Sequence, residues 1–281
     1  MLMDCDLFQD KQIVNELEAY LLGFFYADGC VCSSKEGRYK VFSIALAEKD
    51  KNFLQWIADI INITLNTNYS LKYNAKTKSY RLVVSNKGFV ENLIKHGIVP
   101  RKTYENDDSV FQNIPDNFKW HFIRGYFDGD GSICYAKGSN KWTSNIVSLN
   151  ETLIRSICDY CAKDIHHGTV RCDKKYFRFC LSGNKCVAKF GEMIYQNAHY
   201  FMKRKKEKFD IIPSYKKNNR YVGIIQHHDK YRVDIYSKPN KKQIYLGLCN
   251  TVEDAIDLYN NYCDECQQSV QIYKGEELYY E

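Results

Sequence analysis

Two stretches of this chain repeat one another, and that repeat limits the fold more than any other feature of the sequence. LLGFFYADGCV runs from Leu21 to Val31, and FIRGYFDGDGSI from Phe122 to Ile133. Aligned on the closing Asp-Gly, both show a glycine followed by an aromatic residue, then a small residue, an aspartate and a glycine. Asp28 and Asp130 fall at the same place. A long internal repeat of this kind predicts two copies of one supersecondary unit rather than a single unrepeated fold.

The segments after each motif also correspond. A strand pattern covers Tyr39 to Leu46, an apolar-periodic helix Phe53 to Ile63, strands Tyr69 to Tyr73 and Tyr80 to Ser85, and a short helix Lys87 to His96. In the second copy a strand is expected around Asn145 to Leu149. A helix follows from Glu151 to Ala162 with Asn150 as its N-cap, then strands Thr169 to Cys172 and Tyr176 to Leu181, and a helix Lys185 to Tyr195. The order helix, two strands, helix, two strands, helix therefore appears twice. The expected class is α+β, with pseudo-symmetric αββαββα halves over 1–110 and 111–213 and a small third module over 219–266.

The motif residues explain how the halves meet. Gly23 and Ala27 are four apart and share a helix face, as do Gly125 and Gly129. Small residues on one stripe let two backbones approach closely, while the larger apolar neighbours fill the core on either side. Pairing the helices brings Asp28 and Asp130 together at their C-terminal ends. Gly29 and Gly131 are read as the turn out of each helix into a strand. Two carboxylates there repel each other and the helix dipole, so the arrangement points to a divalent cation. Magnesium suits a few carboxylates completed by water and phosphate oxygens.

Charge and composition point the same way. The net charge is +6, which fits a polyanionic partner. Residues 201–220 hold a dense basic cluster including Lys203, Arg204, Lys205 and Lys206. No apolar run approaches the length of a membrane span, and the N-terminus lacks a signal-peptide pattern. A soluble intracellular protein is expected, in a bacterial or phage-infected cell or an organelle. The twelve cysteines then read as thiols. The C-x-x-C pairs Cys158/Cys161 and Cys263/Cys266 are far apart and each lies in a helical pattern, unlike the paired spacing of a zinc site.

Leu21–Gly29 and Ile123–Gly131 resemble the two nine-residue motifs of LAGLIDADG homing endonucleases, and the resemblance extends over roughly residues 15–212. It implies a DNA-binding saddle in which each half presents a four-stranded antiparallel sheet to the major groove. It also implies that Asp28 and Asp130 bind catalytic Mg²⁺, or another divalent cation, near the scissile phosphates. The first copy has Tyr26 where the second has Asp128, a position that is not the metal ligand in this alignment. GIVPRKT (Gly97 to Thr103) and FMKRKKEKF (Phe201 to Phe209) are similar to the family's basic elements. They make Lys102 and Lys205 the candidate catalytic lysines, with Arg101, Lys203 and Arg204 as rivals.

Alternation along the strands nominates DNA-facing residues. Arg38, Lys40 and Ser43 fit loosely. Lys72, Arg81, Lys141, Thr143, Arg171, Lys174 and Arg178 are further candidates, since arginine can read guanine and lysine or threonine can reach bases or phosphates. The implied partner is double-stranded DNA with a long asymmetric target site, and two motifs in one chain make a monomer sufficient.

After the basic stretch Ser214 to Arg220, strands are expected at Tyr221 to Ile225, Tyr231 to Tyr236 and Gln243 to Leu248. A helix follows from Val252 to Tyr262, capped by Thr251. RYVGI, YRVDIY and YLGLCNTVEDAIDLYNNY resemble the DNA-binding domain of plant ethylene-response factors, in which the sheet enters the major groove. The matching positions are Arg220, Lys230, Arg232, Lys238 and Lys242. Two other readings stay open, an RNA maturase acting on intron RNA and a catalytically inactive nucleic-acid-binding regulator on the same fold. The ends of the chain lack the residues that protein splicing requires, so an intein is not expected.

Overall fold

The structure is a computed structural model that describes residues 7–9, 12–33, 40–102, 106–165, 168–212, 223–237, 242–265, 272–274 and 277–279. The chain divides into two compact units, Met1–Ser214 and Tyr215–Glu281. Among the described residues no helix is long and apolar enough to cross a membrane.

The first unit contains the repeat. Its first copy runs α1 (Glu16–Asp28), β1 (Gly29–Ser33), β2 (Lys40–Ala47), α2 (Lys51–Leu65), β3 (Lys72–Asn74), β4 (Ser79–Val84) and α3 (Lys87–Lys95). A short helix α4 (Ser109–Gln112) leads into the second copy. That copy comprises α5 (Asp116–Asp130), β5 (Gly131–Ala136), β6 (Lys141–Ser148), α6 (Glu151–Cys161), β7 (Thr169–Asp173), β8 (Tyr176–Ser182) and α7 (Asn184–Tyr195). A basic helix α8 (Lys203–Asp210) closes the unit. The element order matches the expected pair of αββαββα halves.

Local chemistry sets the helix starts. Asn15, Asn86 and Asn150 each place a side-chain oxygen on a backbone N–H three residues on, at Glu18, Phe89 and Leu153, satisfying donors that the first turn leaves orphaned. One expected strand begins late. Asn62 accepts from the Tyr69 N–H at 2.6 Å and donates to the Tyr69 carbonyl at 2.9 Å. Both backbone groups of Tyr69 are thereby taken from any ladder, and β3 starts only at Lys72.

The two four-stranded antiparallel sheets share one topology, β1-β2-β4-β3 and β5-β6-β8-β7. Their registers correspond rung by rung. Gly29 faces Ile44, which faces Leu82; Gly131 faces Ile146, which faces Phe179. Ile44, Leu82, Ile146 and Phe179 are buried, so one face of each sheet packs on the core and the residues of opposite parity form its outer face.

α1 is buried on all sides from Leu17 to Tyr26, as expected of a helix enclosed by two half-cores. It packs on α5 backbone to backbone. A Cβ on Gly23 would lie 2.1 Å from the Phe122 carbonyl oxygen, and one on Gly125 would lie 1.9 Å from that of Tyr20. A Cβ on Gly129 would meet Ala27 Cβ at 2.3 Å. The expectation for Gly29 and Gly131 needs correcting. Both have ordinary negative φ, −81° and −79°, so neither is there to turn the chain. They are glycines because a Cβ would strike the rings of Phe42 and Phe127, at 2.6 and 2.1 Å.

In the second unit β9 (Ile224–His227), β10 (Lys230–Ser237) and β11 (Lys242–Cys249) form a sheet ordered β11-β10-β9. Helix α9 (Val252–Glu265) covers it, and the small core comprises Ile224, Val233, Ile235, Ala255 and Tyr259. The Thr251 hydroxyl accepts from the Asp254 N–H at 3.1 Å and caps the helix. Two short strands, β12 (Ile272–Lys274) and β13 (Glu277–Tyr279), pair with each other.

Candidate active site and nucleic-acid interface

Asp28 and Asp130 are the last residues of α1 and α5, and close helix packing brings them together. A Cβ on Gly129 would lie 3.2 Å from an Asp28 carboxylate oxygen. Burial, and then repulsion from Asp130, push the Asp28 carboxyl up to about 6. Desolvation raises Asp130 as well, although its side chain is more open to solvent. Lys205 and Lys102 pull both carboxyls back down, so all four groups share one electrostatic site.

The lysines are held by main-chain oxygens. Lys102 Nζ donates to the Gly29 carbonyl at 2.5 Å. Lys205 Nζ donates to the carbonyls of Phe127, Gly129 and Gly131 at 2.7, 2.9 and 2.8 Å. These oxygens lie at the C-terminal ends of the motif helices, where unsatisfied carbonyls concentrate negative potential. Burial lowers both ammonium groups, Lys205 to about 8. Their surroundings differ in a way set by the motif's sixth position. Tyr26 places its ring 5.6 Å from Lys102 Nζ, whereas Asp128 adds a negative charge that steadies Lys205.

Asp128 was set aside in the sequence because it is not the aligned metal ligand, yet it organises the second half. Fully buried, it accepts from Tyr20 Oη at 2.8 Å, Tyr195 Oη at 2.5 Å and the Met202 N–H at 2.7 Å. These bonds join α1, α7 and the entry to α8, the helix that carries Lys205. Burial nevertheless raises its carboxyl to about 6. Arg124 was equally hidden in the sequence. Only 1% exposed, it donates to Glu16 at 2.7 Å and to the carbonyls of Tyr200 and Ile194. Arg204 pairs with Asp50, and its charge still helps to lower the Asp28 carboxyl.

The outer sheet faces hold most of the candidate DNA contacts. Lys72 and Arg81 are direct cross-strand partners, and so are Arg171 and Arg178 at the equivalent rung of the second sheet. Like charges placed directly opposite destabilise a sheet unless something anionic lies over them. Arg178 has one ion-pair partner, Asp173 at 3.1 Å, and its Nε is buried with no partner. Lys141 and Thr143 lie on the same outer face through β6.

Three candidates do not join this surface. Lys40 shares the parity of Phe42 and Ile44, which face the core, and is exposed only because it begins the strand. Lys174 sits in the β7–β8 turn with φ of 57°. Arg38 lies outside the described residues. In the second unit Arg232 forms a two-pronged pair with Asp234, at 2.8 and 3.0 Å, and its guanidinium lies 5.1 Å from the Tyr245 ring centre. Lys230 is exposed. Lys242 starts β11, its side chain lies outside the described set, and Arg220 and Lys238 fall outside it altogether.

Residues 15–96 match the family described as LAGLIDADG-like domain. No curated protein matches the chain. Among solved structures, the I-LtrWI LAGLIDADG homing endonuclease bound to target DNA matches with a TM-score of 0.50 and 15% identity, over 88% of this chain and 97% of that one. I-DmoI Q42AK120M, in complex with its nicked target DNA and manganese, matches at 0.49 and 16%, over 66% and 97%. The I-AabMI meganuclease bound to uncleaved DNA matches at 0.48 and 14%, over 70% and 88%. The I-LtrWI likeness carries the fold assignment: residues 15–96 are similar to a LAGLIDADG-like domain, and the chain has the fold of the LAGLIDADG homing endonucleases.

Proposed function

We propose that the chain is a site-specific endonuclease that hydrolyses both strands of a DNA duplex. One observation carries this reading: two carboxylates, Asp28 and Asp130, are forced together at the ends of packed helices, with Lys102 and Lys205 beside them. Burial raises both carboxyl groups, and repulsion from Asp130 raises Asp28 further. Two carboxylates are too few for a closed protein cage but suit a hard divalent cation that keeps water and phosphate oxygens. Among the described residues no group of three or more His, Cys, Asp or Glu could hold a metal, which favours a site completed by the nucleic acid.

Asp28 and Asp130 are the proposed metal ligands. When bound, a divalent cation such as Mg²⁺ supplies Lewis-acid neutralisation of phosphate charge. The chain's own residues do the remainder. Lys102 and Lys205, fixed by carbonyls, face the scissile phosphates as positive charges that need no reorganisation. Lys72, Arg81, Arg171 and Arg178 hold the duplex on the outer sheet faces, Lys141 and Thr143 reach the groove beside them, and Gly23, Ala27, Gly125 and Gly129 keep the half-sites at a fixed separation. Both half-sites belong to one chain, so a monomer suffices. The second unit is read as an accessory DNA-binding module similar to the ethylene-response-factor domain, with Lys230, Arg232 and Lys242 on its sheet.

The test is cleavage of a randomised duplex library with Mg²⁺ by wild type, Asp28→Asn and Asp130→Asn. The expected result is double-strand cutting at one selected sequence by wild type and loss of at least one nick in each variant. A wild-type protein that binds duplex DNA or structured RNA tightly but never cuts would overturn the nuclease reading.

A further inference from the structure

The outer faces of the two sheets correspond residue by residue, and the comparison shows where they diverge. The outer strands agree in charge, Lys72 and Arg81 standing where the second sheet has Arg171 and Arg178. The inner strands do not agree in chemistry. Cys30 pairs with Ser43 and Cys32 with Val41 in the first sheet; Ser132 pairs with Asn145 and Cys134 with Thr143 in the second. Along the rest of β2 the outer positions are Ala45 and Ala47, both exposed.

Among the described residues, the outer face of the β1–β2 ribbon is therefore nearly without hydrogen-bonding side chains. On that face Ser43 is the one described hydroxyl, and it and Val41 are each only 7% exposed. Thiols are weak donors and behave as small apolar groups. The second ribbon offers Ser132, Thr143 and Asn145 at the matching places. In the major groove, amide and hydroxyl groups read the donors and acceptors of base edges, whereas small apolar side chains match only the thymine 5-methyl.

We infer that the first half selects its base pairs by packing the exposed Cys30, Cys32 and Ala45 on thymine methyl groups, while the second half selects by hydrogen bonds from Ser132, Thr143 and Asn145. The target is thus thymine-rich, and methyl-read, on one side of the cut only. This rests on the DNA-endonuclease reading, since it assumes that the outer sheet faces meet the major groove.

The experiment uses the full chain with Ca²⁺ to select bound duplexes from a randomised library. The selected duplex is then remade with deoxyuridine in place of thymidine, one half at a time, which removes only the methyl groups. Binding should weaken by roughly fourfold for each buried methyl lost in one half and change less than twofold in the other. Selection repeated with Ala45→Thr should change the preferred bases in the uracil-sensitive half alone. Equal tolerance of uracil in both halves, or an Ala45→Thr change in the insensitive half, overturns the inference and leaves the nuclease reading standing. Failure to enrich any duplex sinks both, and is recognised by the absence of a selected sequence.

Discussion

Arg204, on α8, grips Asp50 at the start of α2 in the other half of the repeat, with Nε donating to one carboxylate oxygen at 2.7 Å and Nη2 to the other at 2.9 Å. Asp50 is 7% exposed. Removing the guanidinium leaves a buried charge without its partner, a loss far larger than a surface ion pair is worth. Arg204→Met should lower unfolding free energy by about 2 kcal/mol, discounted for the partly exposed arginine. Urea midpoints measure this, and adding Asp50→Asn should recover most of the loss. A midpoint within error of wild type for Arg204→Met would show the pair to be incidental.

The Asp28 carboxyl is raised to about 6, and the sign of the stability change follows. Below the ordinary carboxylate range the folded and unfolded states are both protonated. As pH rises from about 4 through 6, the unfolded chain releases its proton first, so this group's contribution to stability is lost. Without metal, Asp28→Asn should stabilise the protein at pH 7 by about 1 kcal/mol, after discounting for solvent access. The gain should vanish near pH 4. Thermal melts at the two pH values test this, and a variant less stable than wild type at pH 7 would contradict it.

Lys205→Met strips three main-chain carbonyls of their donor and removes a fixed positive charge from the site. Cleavage should fall by about 100-fold, the usual scale for one pre-positioned charge-stabilising group. Affinity for the uncut duplex should stay within a few-fold. A large drop in binding with unchanged turnover would make Lys205 a phosphate anchor instead.

Arg81→Gln relieves the like-charge rung with Lys72. Apo stability should rise by a few tenths of a kcal/mol while DNA affinity falls. The slope of log affinity against log salt should become shallower by about 1. An unchanged slope would place Arg81 off the phosphates.

Gly125→Ala inserts a methyl group at 1.9 Å from the Tyr20 carbonyl oxygen. The obstacle is backbone, so relief requires moving a helix, and the loss should be about 3 kcal/mol or more. Gly138→Ala, at a glycine with nothing nearby, is the control and should be close to neutral. Denaturant melts of the two variants distinguish a helix contact from a general glycine effect.

Much of this was legible in the repeat. The motif glycines and aspartates announced the packed helices and the paired carboxylates, because spacing alone sets a helix face. Strand alternation found Lys72, Arg81, Arg171 and Arg178, but it could not show that each pair shares a rung. Register depends on turn length and core packing. Lys40 was misread because one residue of parity decides the face. Asp128 and Arg124 were invisible for a different reason. A buried ionic group is explained by partners distant in sequence, Tyr195 and Met202 for one and Ile194 and Tyr200 for the other, which no local pattern encodes. The one available hint was an arginine set among the apolar Phe122, Ile123, Tyr126 and Phe127 of the motif.

Every hydrogen bond described for Lys205 Nζ ends on an oxygen of the peptide backbone, so its location follows the path of the chain where the motif helix ends. The residues proposed to touch bases, by contrast, lie at exposed or half-buried outer positions of the strands, away from the core face. In the proposed nuclease, cutting and choosing where to cut are thereby separable under mutation: drift on the sheets would carry the protein to new sequences while the chemistry travels along unchanged.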